Sequence, residues 1–195
     1  MVPSSVVVFD FDGTLTVRDT LPCLLRGLAG SRWRYLCGLV ACAPWLMAYK
    51  LRLIEGGKAK ERLTSHLVKG MSQTEFETRC QTIAHENRAR LLRNDVLQQL
   101  ESHVASGAAV YVCSANFATW VEAFLAPINV PVVATDLEVC NGVLTGRFST
   151  PNCNGEQKWL RMQPFLADDT QLEVYGDSKG DVALMSHAQK THLIK

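Results

Sequence analysis

Five short apolar runs, separated by stretches of helical character, constrain the fold more than any other feature of the chain. The runs lack the polar and apolar alternation of a half-exposed sheet, which is typical of parallel strands buried on both faces. They are residues 6–10, 108–114, 131–135, 172–177 and 191–194. The helical stretches between them are residues 95–106, 118–126, 156–165 and 181–188. This alternation predicts an α/β fold with a Rossmann-like parallel sheet core.

Two segments interrupt the alternation. Residues 137–148 place an Asn-Gly pair between two short alternating runs, which predicts a β-hairpin at the edge of the domain. Residues 16–93 contain no convincing strand and favour several helices, too many for a simple crossover. We therefore predict an inserted α-helical cap of residues 16–93 and an α/β core formed by residues 1–15 and 94–195. A chain of 195 residues is long enough for such a core with a small insert.

The charges divide unevenly between these two parts. Residues 15–95 contain 14 Lys and Arg against 7 Asp and Glu, whereas the remaining residues contain 6 against 12. A basic insert is expected to face anions, either a phosphorylated substrate or an anionic membrane surface. The alternative is two solvated faces of opposite charge. We expect no nucleic-acid partner.

An uncharged segment, residues 36–49, lies inside the predicted cap. As a helix it would rise ~21 Å, less than the ~30 Å hydrocarbon core of a bilayer, and Pro44 would kink it. We therefore predict that it does not span a membrane. It either packs inside the cap or lies in a membrane interface with its basic flanks near lipid headgroups. The flanking residues are Arg32, Arg34, Lys50 and Arg52.

The seven cysteines are scattered, odd in number and never spaced as CxxC. This pattern favours neither a disulfide framework nor a zinc site and is typical of a reducing compartment. The first strand begins near Val6, which leaves no room for a signal peptide. The expected location is the cytoplasm, with peripheral attachment at the inner face of a membrane as an open alternative.

Carboxylates follow two of the predicted strands where those strands end. Asp10 and Asp12 end the first strand, and residues two apart on a strand point to the same side. Asp177 and Asp181 follow the fourth strand in "GDSKGD". Because the carboxyl ends of parallel strands open onto a shared crevice, we expect all four to converge. Two carboxylates ~4 Å apart repel each other by ~1 to 4 kcal/mol, so a cation is expected. Oxygen ligands without His or Cys favour Mg²⁺, which in turn implies phosphate.

Phosphate also needs hydrogen-bond donors, and two further sequence positions provide them. Ser114 ends the second strand in "VYVCSAN", where its hydroxyl, the following amides at a helix start and Asn116 are assigned to phosphate binding. Lys158, in "GEQKWL", begins another helix and is expected to reach the site as a positive charge.

These residues, taken in order, resemble the four motifs of the haloacid dehalogenase superfamily. The motifs are "DFDGT", a Ser closing the second strand, Lys158 and "GDSKGD". The helical insert and the "TG" of the hairpin resemble subclass IB of that superfamily, which has a type 1 cap and contains the phosphoserine phosphatases. The resemblance implies a HAD-like core with an inserted cap, and a phosphoric monoester hydrolase that depends on Mg²⁺.

The resemblance also implies a role for each residue. Asp10 would be the nucleophile that forms an aspartyl phosphate, and Asp12 the general acid that later serves as base. Mg²⁺ would be held by Asp10, the backbone carbonyl of Asp12 and Asp177, with Asp181 as a ligand or as support. The residues that would orient the phosphoryl group are Ser114 and Lys158.

The substrate is less constrained than the reaction. Phosphoserine phosphatases carry a Glu nine residues after the nucleophile, where this chain has Asp19, and an Arg in the cap, for which Arg62 is nearby but not matched. Residues 35–54 look more like members of the subgroup that act on lipids of the phosphatidylglycerophosphate type. Three hypotheses follow: a phosphatase acting on a lipid or other apolar monoester, a phosphatase acting on a small metabolite such as phosphoserine, and a phosphate-binding or interaction module without turnover.

Overall fold

A computed structural model describes residues 4–195, and its centre is a five-stranded parallel sheet. The strands are β1 (Ser5–Phe9), β2 (Ala109–Phe117), β3 (Val132–Thr135), β6 (Gln171–Gly176) and β7 (Lys190–Leu193). They lie in the sheet in the order β3-β2-β1-β6-β7. The central strand pairs with both neighbours, with Val6 opposite Ala109 on one side and Leu172 on the other. The predicted α/β fold with a parallel sheet is therefore confirmed.

Both faces of β1 are covered, which explains why its sequence does not alternate. Val6 and Val8 pack in one hydrophobic cluster together with Met162 and other buried residues. Val7 and Phe9 face the opposite side and join the larger cluster. A strand in this position has no polar face, as the uninterrupted valines predict.

Helices cover the sheet and also form the insert. The helices after the insert are α5 (Asn94–Ala105), α6 (Ala118–Leu125), α7 (Glu156–Met162) and the short α8 (Val182–Met185). The insert consists of α1 (Leu21–Ala29), α2 (Arg32–Lys50), α3 (Gly56–Val68) and α4 (Gln73–Leu91). The helical character predicted for residues 16–93 is thus present, while the division into two domains at those boundaries stays a prediction.

The predicted hairpin is a separate two-stranded sheet formed by β4 (Leu137–Cys140) and β5 (Val143–Phe148). Its turn places Asn141 and Gly142 at φ 50° and 76°, as a two-residue hairpin turn requires. The hairpin lies against α3: a Cβ on Gly146 would come within 2.4 Å of the Ser65 hydroxyl oxygen. The backbone N–H of Gly70 also donates to the carbonyl of Leu144 at 2.9 Å. These contacts bind the hairpin to the helical insert.

The uncharged segment forms the middle of α2, which continues through Pro44. Only Gly38 and Cys42 are buried along this helix. The predicted packing inside the cap is therefore found for one face of α2, and the other faces of the helix are not buried by it. None of the helices in residues 4–195 combines the length and the hydropathy needed to cross a bilayer.

Candidate active site

The site begins where β1 ends, in a tight turn over residues 11–15. Asp10 is still held in the sheet, because its backbone N–H donates to the Tyr175 carbonyl at 2.8 Å. Gly13 follows at φ 85°, a left-handed conformation that favours glycine. A Cβ at Gly13 would lie 2.1 Å from the Oδ2 atom of Asp177, so the missing side chain also leaves room for that carboxylate. The glycine of "DGT" is thus required for two reasons: it adopts the left-handed conformation of the turn, and it leaves space for the Asp177 carboxylate.

Lys158 joins two of the predicted acids at the centre of the site. Its Nζ atom lies 2.5 Å from Oδ1 of Asp10 and 2.5 Å from Oδ1 of Asp181. All three side chains are buried. The Thr14 hydroxyl donates to the second oxygen of Asp10 at 3.3 Å. The cation that the paired carboxylates require is therefore supplied, at least in part, by the protein itself.

Burial and charge shift the proton affinities of this group in opposite directions. Burial raises the pKa of the Asp10 carboxyl to about 7, although the attraction of Lys158 works against this rise. Burial alone would lower the pKa of Lys158, but the carboxylates of Asp10 and Asp181 outweigh it and raise that pKa above its ordinary value. Lys158 therefore stays charged, while Asp10 needs further positive charge to be fully ionised near neutral pH.

Asp12 is held in a different direction from Asp10. Its Oδ1 atom accepts hydrogen bonds from the backbone N–H of Thr20 at 2.7 Å and from the Thr20 hydroxyl at 2.6 Å. Its Oδ2 atom accepts one from the Asn116 amide at 3.1 Å. Burial raises the pKa of Asp12 despite these bonds, which favour the ionised form. A carboxyl that is fixed in place and has a raised pKa is suited to general acid catalysis.

Three of the four predicted acids form a group that fits a divalent cation. The expectation that all four converge is wrong for the Asp12 carboxylate, because Thr20 and Asn116 hold it elsewhere. Oxygen atoms of Asp10, Asp177 and Asp181 all lie within 4.8 Å of one another. Both oxygens of Asp181 are already occupied, one by Lys158 and the other by the backbone N–H and hydroxyl of Ser178 at 3.1 Å. In contrast, the Asp177 carboxylate accepts no hydrogen bond and forms no ion pair within residues 4–195. The unpaired Asp177 beside the buried Asp10, with oxygen as the only donor type, fits Mg²⁺.

Ser114 is placed differently from its prediction. We expected it at the end of β2 and at a helix start, but β2 continues to Phe117, and α6 begins at Ala118. The reason is an irregularity in the strand, because the pairing with β3 shifts between Ser114 and Phe117. Such bulges redirect side chains beside functional sites. Ser114 is fully buried, and its hydroxyl accepts a hydrogen bond from the Asn116 backbone N–H at 3.0 Å. The bulge thereby aims the Asn116 side chain at Asp12.

Lys60 is a site residue that sequence reasoning missed. Its Nζ atom donates to the Ala115 carbonyl and lies 4.6 Å from the centre of the Phe117 ring. Burial lowers the pKa of Lys60 to about 8, although the charges of Asp12 and Asp19 oppose the effect. A signal was present in the sequence, since Lys60 precedes the buried residues Leu63, Thr64 and Leu67 by three, four and seven positions. Its position on the apolar face of α3 distinguishes it from the solvated lysines nearby.

The two positions compared with phosphoserine phosphatases do not form a pair here. Asp19 is exposed and accepts a hydrogen bond from the Leu21 backbone N–H at 2.9 Å, at the start of α1. The Arg62 guanidinium lies 5.2 Å from the ring of Trp45, on α2. Of Lys60 and Arg62, it is Lys60 that lines the cavity beside Asp12.

An open cavity separates the insert from the sheet above these residues. Its polar lining includes Asp12, Lys60 and Asn116. Part of its wall is apolar and comes from the insert and from the hairpin. Its larger aliphatic and phenyl side chains are Leu21, Leu46, Leu63 and Phe148. The cavity therefore combines a charged floor with walls that suit a less polar group.

The parallel sheet, its helical insert and the acidic group at the carboxyl edge of the sheet define an α/β protein with an inserted helical cap. Residues 7–186 match the family model of the haloacid dehalogenase-like hydrolases. The chain belongs to this family.

Individual proteins resemble this chain over most of its length. The chain is 28% identical over 188 residues to Protein CicA of Caulobacter vibrioides, covering 95% of this chain and 83% of the relative. A protein of unknown function from Bordetella pertussis Tohama I shares the fold with a TM-score of 0.80 at 20% identity, over 97% of this chain and 89% of that one. A phosphoserine phosphatase, solved as an analogue of its phospho-aspartyl intermediate, aligns with a TM-score of 0.58 at 18% identity, over 96% and 85% of the two chains.

Proposed function

We propose that this protein hydrolyses a phosphate monoester through an aspartyl phosphate on Asp10, with Mg²⁺ as cofactor. The observation that carries the proposal is the buried Asp10 carboxylate, which lies 2.5 Å from Lys158 and within 4.8 Å of Asp177 and Asp181. Membership of the hydrolase family supports the reaction class, and a structural neighbour captured as a phospho-aspartyl analogue supports the intermediate.

In the first half of the reaction, an oxygen of Asp10 attacks phosphorus and the bond to the alcohol oxygen breaks. The leaving oxygen takes the proton of the Asp12 carboxyl, which burial keeps available by raising its pKa. Lys158 holds Asp10 in position and neutralises charge on the phosphoryl oxygens. Ser114 and Asn116 shape the bulge that orients the phosphoryl group and Asp12.

In the second half, the Asp12 carboxylate removes a proton from water. The resulting hydroxide attacks phosphorus, which releases inorganic phosphate and restores the Asp10 carboxylate. Thr20 holds Asp12 through two hydrogen bonds, so the same carboxyl serves as acid and then as base without changing place. When bound by Asp10, the Asp12 carbonyl and Asp177, Mg²⁺ would supply positive charge that keeps the nucleophile ionised and neutralises the phosphoryl group.

We propose that the substrate is amphiphilic, such as a lipid phosphate of the phosphatidylglycerophosphate type. The cavity wall contributed by Leu21, Leu46, Leu63 and Phe148 suits an alkyl group, and Lys60 suits a second anionic or polar group near the phosphate. Residues 35–54 support this assignment, because they resemble the members of the subgroup that act on lipids of this type. A small metabolite such as phosphoserine is the alternative, and a module without turnover is disfavoured because Asp10 and Asp12 are both present.

The test is a steady-state phosphatase assay with Mg²⁺ on ethyl, butyl and hexyl phosphate, phosphoserine, lysophosphatidate and phosphatidylglycerophosphate. Each added methylene that is buried contributes ~0.8 kcal/mol, so kcat/KM is expected to rise up to about fourfold per methylene along the alkyl series. Leu46→Asn should flatten the series, whereas Leu51→Asn, at an exposed position outside the cavity lining, should not.

Two outcomes would overturn parts of the proposal. A preference for phosphoserine with no chain-length dependence would replace the amphiphilic substrate by the small metabolite. Parent-level turnover by Asp10→Asn would remove the covalent mechanism altogether.

A further inference from the structure

One side of α2, which we call the outer face, exposes a continuous stripe of apolar side chains to solvent. Successive members are three or four residues apart, which aligns them along one side of a helix. They are Trp33, Leu36, Val40, Pro44, Met47 and Leu51, the last at the end of the helix. Trp33 and Val40 are 76% and 74% exposed. Contiguous apolar surface of this kind marks an interaction site.

The opposite side of α2 is fixed to the protein, so only the outer face is free for a partner. Gly38 packs so closely on α3 that an added Cβ would lie 3.1 Å from the His66 ring. Cys42 is buried on the same side. The α2 helix is therefore a rigid part of the insert, with one apolar side pointing outward.

Basic residues border the outer face at both ends of the helix. At about 100° per residue, Arg32, Arg34 and Lys50 lie about 100° to either side of the stripe, and Arg52 follows just beyond it. Residues 32–50 contain no Asp or Glu. Long basic side chains beside an apolar stripe match the phosphate level and the acyl boundary of an anionic bilayer.

The same charges argue against a second copy of this chain as the partner. In either orientation of two paired α2 helices, basic ends would meet basic ends, because both termini of the helix are cationic and no acidic residue lies within it. Like charges in direct opposition destabilise such a contact. Only a surface that is apolar and anionic at once complements the outer face.

We propose that the outer face of α2 docks on an anionic phospholipid bilayer, with the helix axis in the membrane plane. The helix would then lie along ~28 Å of the interface, with its apolar side chains below the headgroups and its basic side chains among them. Leu46 and Tyr49 on the inner side of α2 line the catalytic cavity together with Asp12. Docking therefore brings the cavity close to the lipid surface, and this last consequence rests on the proposed function.

Sedimentation of the full chain with vesicles tests the docking directly. Vesicles of phosphatidylcholine with about one third phosphatidylglycerol should bind the parent at least tenfold more tightly than phosphatidylcholine alone, and salt should weaken the binding. Val40→Asp should lower binding by tenfold or more. The double variant Arg32→Gln, Arg34→Gln should lower it by about 25-fold, from about fivefold per basic residue. Val104→Asp, the same change at an exposed position on α5, should leave it unchanged.

Other outcomes would overturn the docking and leave the reaction untouched. The proposal is contradicted if vesicle binding does not depend on phosphatidylglycerol, or if Val40→Asp binds vesicles as tightly as the parent. Self-association that Val40→Asp abolishes, without vesicle binding by the parent, would assign the outer face to a second copy. Hydrolysis of a soluble ester separates the two proposals. Val40→Asp and the double variant Arg32→Gln, Arg34→Gln should retain it, whereas Asp10→Asn should lose it and still bind vesicles.

Discussion

Replacing Lys158 by Met should destabilise the protein strongly, and more so at alkaline pH. Its Nζ atom lies 2.5 Å from an oxygen of Asp10 and 2.5 Å from an oxygen of Asp181, and all three side chains are buried. At an effective dielectric of ~20, an ion pair at 4 Å is worth ~4 kcal/mol before the cost of desolvation. Removing one partner of a buried pair costs ~3 to 5 kcal/mol because the remaining charge is left uncompensated.

The pH dependence follows from Asp10. Its pKa in the folded protein is about 7, above the ordinary value of 3.8, so the folded state binds more protons than the unfolded chain between these values. Stability from this group is therefore present at low pH and declines as pH rises through 7. Without Lys158 the pKa of Asp10 rises further, since the attraction that lowered it is gone. The deficit of Lys158→Met should accordingly be smaller at pH ~5.5 than at pH ~8.5.

Urea denaturation of the metal-free protein at these two pH values measures the effect. Lys179→Met is the matched control, because Lys179 is exposed in the neighbouring "GDSKGD" loop. Lys158→Met should lose ~3 to 5 kcal/mol at the higher pH, and the control less than ~0.5 kcal/mol. Equal midpoints for the two variants at both pH values would refute the buried ion pairs.

Three further predictions concern the turn and the cavity. Gly13→Ala places a Cβ 2.1 Å from the Oδ2 atom of Asp177 at φ 85°. It should lower the free energy of unfolding by ~1 to 3 kcal/mol and weaken Mg²⁺ binding, measured by calorimetry, by about tenfold or more. An unchanged Mg²⁺ affinity would contradict the metal site. Thr20→Val removes a 2.6 Å hydrogen bond that favours the ionised form of Asp12. The limb of the pH–rate profile that reports the pKa of Asp12 should therefore move to higher pH. An unchanged profile would contradict the role of Asp12 as acid and base. Lys60→Met should raise stability at pH ~7 by ~1 to 3 kcal/mol. Its advantage should shrink towards pH ~10, because the pKa of Lys60 is about 8 when folded and 10.5 otherwise; a gap independent of pH would show that Lys60 is not buried.

The parallel sheet was predictable because its signal is local. The valines of β1 have no polar alternation, and this is what burial on both faces demands. Asp10, Asp177 and Asp181 follow strands that lie side by side in the sheet, so topology alone predicts that they meet. Lys158 was found because it belongs to an ordered set of motifs.

The rest of the site depends on contacts between distant parts of the chain. Thr20 and Asn116 meet at Asp12 across the boundary between the insert and the sheet, and no local pattern encodes that meeting. The irregularity after Ser114 extends β2 through the polar Asn116, which interrupts the apolar run, so the sequence pattern placed the end of the strand too early. Lys60 could have been predicted only by comparing its position on α3 with the buried residues that follow it, which show that it lies on the apolar face of the helix.

Trapping of the phosphorylated enzyme tests the central claim most directly. The protein is mixed with Mg²⁺ and a hydrolysed monoester, quenched in acid during turnover, and the peptide that contains Asp10 is analysed by mass spectrometry. The account predicts one phosphoryl group on Asp10, removed by hydroxylamine as an acyl phosphate should be, and none in Asp10→Asn. Turnover with no phosphorylated aspartate at any quench time, or with the phosphoryl group on another residue, would contradict it.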